Sequence, residues 1–205
     1  MQPITDRTKM FVLMVLASVM MTACSTYTAQ RIDRDVSHWH PYEFRIHGSI
    51  YQVKIPPDGM IITKPMTDVT TSDIDDYMIA ASFGYDYGRG TYDDIAQFKV
   101  DIGISKINGG ISCHTGKFRF GECILKDSDD SINGHVNQYK SLGALQWFHE
   151  SDIQRPWDAY SIMLDRDHYL SIVGFYWRDL AARPDMLTDR RRLLEEIVST
   201  VDIIN

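Results

Sequence analysis

The sequence has little of three things that would place it quickly: cysteine, positive charge and long hydrophobic runs. Its three cysteines are too few for a small domain held together by disulfides. Lys and Arg number 21 against 28 Asp and Glu, and the formal net charge of -7 disfavours nucleic acid as a partner. With 44% hydrophobic and 24% charged residues, the 205-residue chain has the composition of one ordinary globular protein.

Motifs for catalysis and cofactor binding are also missing. The sequence contains no HExxH zinc motif, no GxSxG nucleophile elbow, no P-loop and no GxGxxG dinucleotide motif. We therefore predict that the protein is not an enzyme and that it uses no cofactor.

Two stretches resemble metal sites in part. Asp129, Ser131, Asn133 and Gly134 match the first half of a calcium-binding loop, but Lys140 stands where such a loop needs a bidentate Glu. A lysine at that position repels the ion, so we predict no calcium site.

His38 and His40 flank Trp39, and on an extended chain both imidazoles would point the same way and could share a metal. The sequence offers no third ligand at a telling distance. We interpret these residues instead as aromatics that dock the N-terminal segment on the domain, and we predict no metal site.

The N-terminus has the pattern of an export signal. Arg7 and Lys9 precede a twelve-residue apolar stretch, Met10–Met21, which is shorter than the roughly 20 residues that span a bilayer. Met21-Thr22-Ala23-Cys24 follows and resembles the lipobox of bacterial lipoproteins. The resemblance implies that residues 1–23 are a signal peptide and that Cys24 is acylated. The alternative is an ordinary signal-peptidase site beside an unmodified cysteine.

The same resemblance implies a location. Ser25 follows the cysteine and no Asp retention signal is present, which favours sorting to the outer membrane with the protein on its periplasmic side. Acyl chains would then anchor the protein. We interpret the polar residues 24–37 as a tether and 38–205 as the periplasmic domain. Loss of Asp6, Arg7 and Lys9 with the signal peptide would change the net charge from -7 to -8.

Export also decides how Cys113 and Cys123 are interpreted, because the compartment outside the inner membrane is oxidising. Neither a CxxC pair nor a second close ligand pair supports a metal site or a reactive thiol. We predict a structural disulfide between them. Closing a loop of this size stabilises a fold by about 2.5–3 kcal/mol on the chain-entropy estimate.

Alternating apolar residues predict most of the strands. Phe44 and Ile46 alternate with polar residues, and so do the residues of 51–55, which end at the turn sequence 56–59. The clearest alternation covers 96–104. Its second face is polar, so we predict a half-exposed strand of an antiparallel sheet.

Four further segments are predicted strands. Segment 77–87 alternates, although its beginning is equally compatible with a short capped helix. Segments 142–149, 157–164 and 168–177 are apolar on both faces, which is typical of the centre of a sheet. The last two are separated by a hairpin-length connection.

One helix is predicted, over 185–199. Pro184 suits the first helical position and Asp185 suits the positive end of the helix dipole. The triple arginine 190–192 is interpreted as a solvated face on which Arg191 pairs with Glu195 and Arg192 pairs with Glu196. The predicted buried stripe comprises Leu187, Leu194, Ile197, Val198 and Val201.

After the helix, residues 201–204 can return as a strand. Many strands followed by one helix predict an α+β fold: a single domain, mainly antiparallel β-sheet, with a C-terminal helix followed by a short strand.

Function is expected to be protein binding. A lipid-tethered, acidic, single α+β domain without catalytic motifs resembles, in general plan, the immunity lipoproteins that protect bacteria against type VI secretion effectors. That resemblance implies a protein that blocks or sequesters a toxin. An envelope assembly or accessory lipoprotein that binds a resident machine is the alternative, and an enzyme is the third and weakest hypothesis.

Candidate contact residues follow from loop position and charge. Tyr85 and Tyr87 end a strand beside glycines, where recognition residues often lie, although a core role for Tyr85 is equally compatible with the pattern. The acidic cluster Asp127, Asp129 and Asp130 would favour a partner with a basic face.

Overall fold

The computed structural model describes residues 29–46, 48–69, 77–87, 96–106, 135–152, 157–165 and 167–204. The strands within these ranges are β1 (His40–Ile46), β2 (Ser49–Ile55), β3 (Met60–Thr63), β4 (Asp68–Val69), β5 (Tyr77–Tyr87), β6 (Ala96–Lys106), β7 (His135–Leu142), β8 (Leu145–Asp152), β9 (Trp157–Met163), β10 (His168–Tyr176) and β11 (Asp202–Ile204). The helices are a 3-10 helix (Val36–His38), α1 (Arg178–Ala181) and α2 (Pro184–Ser199).

The strands form two sheets. The larger has seven strands in the order β3-β5-β6-β10-β9-β8-β7, and every neighbouring pair is antiparallel. The smaller has the order β11-β2-β1-β4, in which only β1 and β4 run parallel. The predicted fold class is confirmed: a mainly antiparallel α+β domain with a C-terminal helix and a short last strand. The division into two sheets is not visible in the alternation pattern, because β2 and β3 are consecutive in the chain but lie in different sheets.

Helix α2 packs against strands of both sheets, β2 of the smaller and β7 and β10 of the larger. Pro184 starts it at the predicted position. Its buried apolar residues are Leu193, Leu194, Ile197 and Val198, while Leu187 is half-buried. Thr200 then accepts a hydrogen bond from the backbone of Lys54 at 2.9 Å, which fixes the helix end beside β2 before β11 joins that strand.

Strand β6 is where the alternation predicts the element correctly and the exposure wrongly. Its apolar face is buried as expected, but Gln97, Asp101 and Ser105 on the other face are buried too. Asp101 accepts a 2.5 Å hydrogen bond from Ser82 on β5 and pairs with Lys99 at 2.8 Å. Because polar groups on this face satisfy one another, a polar pattern here does not indicate contact with water.

The segment predicted as one strand over 142–149 contains the turn of a hairpin and the first part of β8. Strand β7 ends at Leu142 and β8 begins at Leu145. Gly143 has a φ of 62°, a left-handed conformation that favours glycine in a tight turn. The neighbouring prediction is confirmed, since β9 and β10 pair as a hairpin inside the sheet.

The tether prediction is wrong for residues 29–37, the part of 24–37 that the structure describes. Ile32 is buried against the core, and Trp39 behind it donates from its indole nitrogen to the Asp33 carbonyl at 2.9 Å. Arg34 reaches α2 and pairs with Asp189 at 2.6 Å and Glu196 at 2.7 Å. Polar composition suggested a free segment, but its charges have partners far along the chain.

Candidate functional site

Tyr85, one of the residues predicted to contact a partner, lies in the core and is not accessible to a partner. It has no exposed surface, and its ring stacks on Phe98 with the centroids 5.6 Å apart. Burial raises the pKa of its hydroxyl far above the ordinary value, with smaller effects from Tyr42 and Asp58. Tyr85 follows the core face of β5, so the alternation of the strand decided its position and the glycines beside it did not.

Tyr87 is half-buried, and burial also raises the pKa of its hydroxyl. Its hydroxyl fills the space beside Gly84, where an added Cβ would meet it at 2.3 Å. Cys24, Cys113, Cys123, Asp127, Asp129 and Asp130 lie outside the described residues, so their predicted roles stay predictions.

The structure draws attention instead to the two free edges of the seven-stranded sheet. Strands β3 and β7 each have a neighbour on one side only among the described strands. Edge strands present backbone hydrogen-bonding groups that another chain can use. Both edges also carry exposed apolar or aromatic side chains.

At the first edge, the exposed residues are Met60 (58%), Ile61, Ile62 and Met66, which we call the β3 patch. Met60 pairs with Gly84 of β5, and the register shifts between Ile61 and Thr63. Ile62 lies over Gly84, because its Cδ1 is 2.9 Å from where a glycine Cβ would be. The missing side chain of Gly84 thus makes room for an apolar residue that remains half exposed.

The chain reaches the β3 patch from its N-terminal side. Gln30 donates from its backbone to Asp86 at 2.8 Å and from its side chain to the Asp58 carbonyl at 2.7 Å. Asp58 lies in the turn just before Met60. The first described residues are therefore fixed beside the beginning of β3.

A buried ion pair holds this arrangement. Arg190 of α2, only 4% exposed, donates to both carboxylate oxygens of Asp86, from Nε at 2.5 Å and from Nη2 at 2.7 Å. Its Nη2 also donates to the Gln30 carbonyl at 2.8 Å. Asp86 adopts a φ of 58°, which is uncommon for a residue with a side chain. The predicted solvated face at 190–192 is therefore wrong at Arg190.

At the opposite edge, Tyr139 of β7 is 55% exposed. Its ring meets Phe148 of β8 edge-on, with the centroids 5.3 Å apart and the planes at 79°. Tyr139 pairs with Phe148 and Phe148 with Ser161, so these side chains share one face of the sheet. The exposed residues on this face near the edge, which we call the β7 patch, are Tyr139, Ser141, Gln146 and Met163.

The other face of the same edge is tied to α2 by charged groups. Lys140 pairs with Glu195 at 2.5 Å, and the same carboxylate oxygen accepts from Tyr160 at 3.0 Å. Arg191 donates to Asp158 at 2.9 Å. The lysine that excludes a calcium loop thus has a structural partner, and Arg191 does not form the predicted pair with Glu195. These contacts link β7 and β9 to the helix.

His149 and Asp158 form a buried pair at 2.9 Å within this network. The imidazole stacks on Tyr160, with the centroids 4.4 Å apart, and its second nitrogen lies 3.5 Å from the Gln138 amide. Both ring nitrogens therefore have partners. No hydroxyl or thiol among the described residues is hydrogen-bonded to this histidine, so within that part of the chain the pair links strands and activates no nucleophile.

The two histidines considered as metal ligands belong to different secondary-structure elements. His38 ends the 3-10 helix and contacts Asp33 at 2.8 Å, while His40 begins β1. Asp33 hydrogen bonding and the nearby charge of Asp35 raise the pKa of His38. Across the described ranges, no three His, Cys, Asp or Glu side chains come together as a metal site would require. No helix among the described residues is both long enough and apolar enough to cross a membrane.

Comparison with solved structures gives distant similarity in fold. No family model and no curated protein match the chain. The solution structure of cyanobacterial PsbP (CyanoP) from Synechocystis sp. PCC 6803 is similar with a TM-score of 0.43 and 10% identity, over 85% of this chain and 98% of that one. The functional proposals below rest on this chain's own residues.

The sequence gives a weak signal for Tyr139. It is the one aromatic residue in the polar sequence of β7, HVNQYKSL, where no apolar face calls for it. The partial calcium-loop match over 129–140, which we reject because of Lys140, overlaps this strand in the sequence, and alternation predicts no strand there. An aromatic residue in an otherwise polar strand is the pattern that would have identified it.

Proposed function

We propose that the protein is an exported lipoprotein, anchored through Cys24 on the periplasmic side of the outer membrane, that acts without catalysis by binding another protein through the β7 patch. The observation that carries the binding part is the exposed Tyr139 on a free sheet edge. The lipobox-like Met21-Thr22-Ala23-Cys24 supports the anchoring part.

Tyr139 has the features of an interface anchor. Tyrosine supplies a large apolar ring with few rotatable bonds, and it is enriched among residues that dominate binding energy. Its edge-on contact with Phe148 restrains the ring before a partner arrives. Met163 is 44% exposed and extends the apolar surface on the same face.

The edge strand is also held rigidly enough to present these side chains. Lys140 lies next to Tyr139 in the chain, and its pair with Glu195 fixes the opposite face of β7 against α2. A strand restrained in this way loses little conformational freedom when another chain pairs with it, which favours affinity. Binding would combine backbone pairing along β7 with insertion of Tyr139 into a pocket of the partner.

The net negative charge of this chain indicates the charge of the partner's binding face. A mature chain with a formal charge near -8 would attract a protein with a basic face, and the rate of association should fall as salt is added. Asp127, Asp129 and Asp130 precede β7 by a few residues in sequence, and we propose that they contribute to this attraction. Within this class, we propose a secreted effector toxin that reaches the periplasm, which makes the protein an immunity protein.

The test directs to the periplasm the products of the reading frames beside this gene, one at a time, and a toxic product serves as the effector. Cells that lack the gene should die and cells that carry it should survive. Tyr139→Ala should weaken binding of the purified effector by about 30-fold, the size of a hot-spot residue. Trp177→Ala is the matched control, because Trp177 is also an exposed aromatic but lies outside the β7 patch.

Equal survival with and without the gene would contradict the immunity hypothesis, and a resident envelope protein would then be the partner to seek. Equal loss of affinity in the Tyr139 and Trp177 variants would contradict the assignment of the β7 patch. The anchoring part has its own test: Cys24→Ala should abolish acylation, seen in the intact mass, and release the protein from the membrane fraction.

A further inference from the structure

We propose that the β3 patch lies on the surface of the lipid bilayer that holds the acyl chains of Cys24, so that the seven-stranded sheet stands with its β3 edge on the membrane and its β7 edge away from it. This inference rests on the proposed lipidation. It adds an orientation and a second contact, which lipidation alone does not require.

The first step is that the N-terminal end of the described chain lies beside the beginning of β3. Gln30 is fixed by hydrogen bonds to Asp58 and Asp86, and in a third bond the Asp86 backbone N–H donates to Gln30 Oε1 at 3.1 Å. Asp58 precedes Met60 by two residues, and Asp86 follows Gly84, the partner of Met60, by two residues. Gln30 and the β3 patch are thus neighbours.

The second step is the length of chain between the lipid and Gln30. Five residues, 25–29, lie between Cys24 and Gln30, so six residue-to-residue steps join them. Even fully extended, six such steps span at most roughly 20–22 Å. An acylated Cys24 therefore keeps the beginning of β3 close to the bilayer, whatever path the chain takes.

The third step is the chemistry of the patch. Met60, Ile61, Ile62 and Met66 are flexible or branched apolar side chains with large exposed fractions, between 38% and 58%. Contact with acyl chains and the headgroup boundary removes such surface from water, which is favourable because it is apolar. Lys64 is exposed between Ile62 and Met66 and can reach a lipid phosphate while its stem follows the apolar surface.

The fourth step is the choice between a bilayer and a protein as the occupant. Six strand spacings separate β3 from β7, or roughly 29 Å across the sheet. A short chain from the membrane to Gln30 brings the β3 edge to the lipid and leaves the β7 edge accessible from the periplasm. A protein partner at the β3 patch would have to enter between the bilayer and a domain that six residue-to-residue steps hold near it.

The experiment places an environment-sensitive fluorescent amino acid at position 62, 60 or 163 of the full chain by codon suppression. Ile62 and Met60 belong to the β3 patch, and Met163, an equally exposed apolar residue near the other edge, is the matched control. Each purified, acylated protein is reconstituted into vesicles of phosphatidylethanolamine and phosphatidylglycerol, with and without brominated acyl chains. Intact mass and co-flotation with the vesicles are measured on the same samples.

At positions 62 and 60 we expect emission shifted to the blue and quenching by brominated lipid, and at position 163 neither effect. Two labelled positions keep the test decisive if one variant folds poorly. Acylated, vesicle-bound protein whose labels at 62 and 60 remain as water-exposed as the one at 163 would overturn this inference alone, and would leave the β3 patch to a protein partner. Absence of acylation, seen in the mass, would instead overturn the anchoring proposal on which it rests.

Discussion

Among the strands that the structure describes, the two edge strands of the seven-stranded sheet each lack a second neighbour, but they differ in what surrounds them. The β3 edge carries mainly aliphatic and methionine side chains and lies beside Gln30, near the N-terminal end of the described chain. The β7 edge carries a tyrosine among polar residues, and its other face is bound to α2 through Lys140 and Glu195. Exposed apolar surface alone therefore does not identify a partner. We use the connection of each edge to the rest of the chain to propose a membrane contact at β3 and a protein contact at β7.

The largest expected effect comes from the ion pair that supports the β3 side. Arg190→Ala would leave the buried Asp86 carboxylate without its forked partner and would release the Gln30 carbonyl. Removing one member of a buried pair typically costs about 3–5 kcal/mol. We expect a loss of that order in the free energy of unfolding, measured by urea denaturation.

Arg192→Ala is the control for this change. Arg192 is largely exposed and pairs with Glu196 at 3.1 Å, so its loss should cost about 0–1 kcal/mol. In the membrane experiment, Arg190→Ala should also reduce lipid quenching at position 62, because Gln30 loses one of its contacts and is held less firmly beside β3. Equal destabilisation by the two arginine variants would show that the Arg190 pair does not hold the β3 side.

The next effect concerns the β7 side. Gly143 in the β7–β8 turn combines a φ of 62° with a close approach, since an added Cβ would lie 2.2 Å from the Ser199 carbonyl oxygen at the end of α2. Gly143→Ala therefore forces the hairpin and the helix apart. We expect weaker partner binding at the β7 patch and unchanged lipid quenching at position 62.

Gly48→Ala separates the two causes, because Gly48 has a φ of 80° and nothing within 4 Å of an added Cβ. A left-handed backbone costs a residue with a side chain about 1–2 kcal/mol. Gly143→Ala should cost a further 1–3 kcal/mol, roughly the range for overpacking. Equal unfolding free energies for the two variants would mean that the contact with Ser199 is relieved without strain.

The sequence predicted the local elements well and the long-range contacts poorly. Alternation and the proline at position 184 predicted β6, α2 and the β9–β10 hairpin, because those signals depend on neighbouring residues. The buried pair between Asp86 and Arg190 joins residues 104 positions apart. No local pattern distinguishes such an arginine from the exposed Arg192 two residues on.

The dependence on long-range contacts also explains why the sequence did not predict which tyrosine is exposed. Tyr85 and Tyr139 are both tyrosines in strands, but the first lies in the second strand from an edge, facing the core, and the second lies on an edge. Strand order in a sheet is set by pairing between distant segments. Exposure of an aromatic residue could therefore be inferred only after the order of the seven strands was known.

The smallest effect expected is a pH dependence on the β3 side alone. The hydrogen bond with Asp33, followed by the charges of Asp35 and Asp33, raises the pKa of His38 above its ordinary 6.5. Hydrogen bonds from the Asp35 backbone and His38 lower the pKa of Asp33, and hydrogen bonds from Ser37 lower that of Asp35, both from 3.8. A raised histidine pKa gives stability that is complete below 6.5 and is lost as the pH rises through the raised value. Lowered carboxyl pKa values give stability that is complete above 3.8 and is lost as the pH falls through the lowered values. Residues 33–38 should therefore be held most firmly between pH 3.8 and 6.5.

An NMR titration of the His38 ring tests this. Asp33→Asn should lower the pKa of His38 more than Asp35→Asn does, because only Asp33 bonds the ring at 2.8 Å. Identical titration of His38 in both variants would mean that the hydrogen bond to Asp33 does not hold the ring. The N-terminal segment would then be fixed through Gln30 and Arg34 instead.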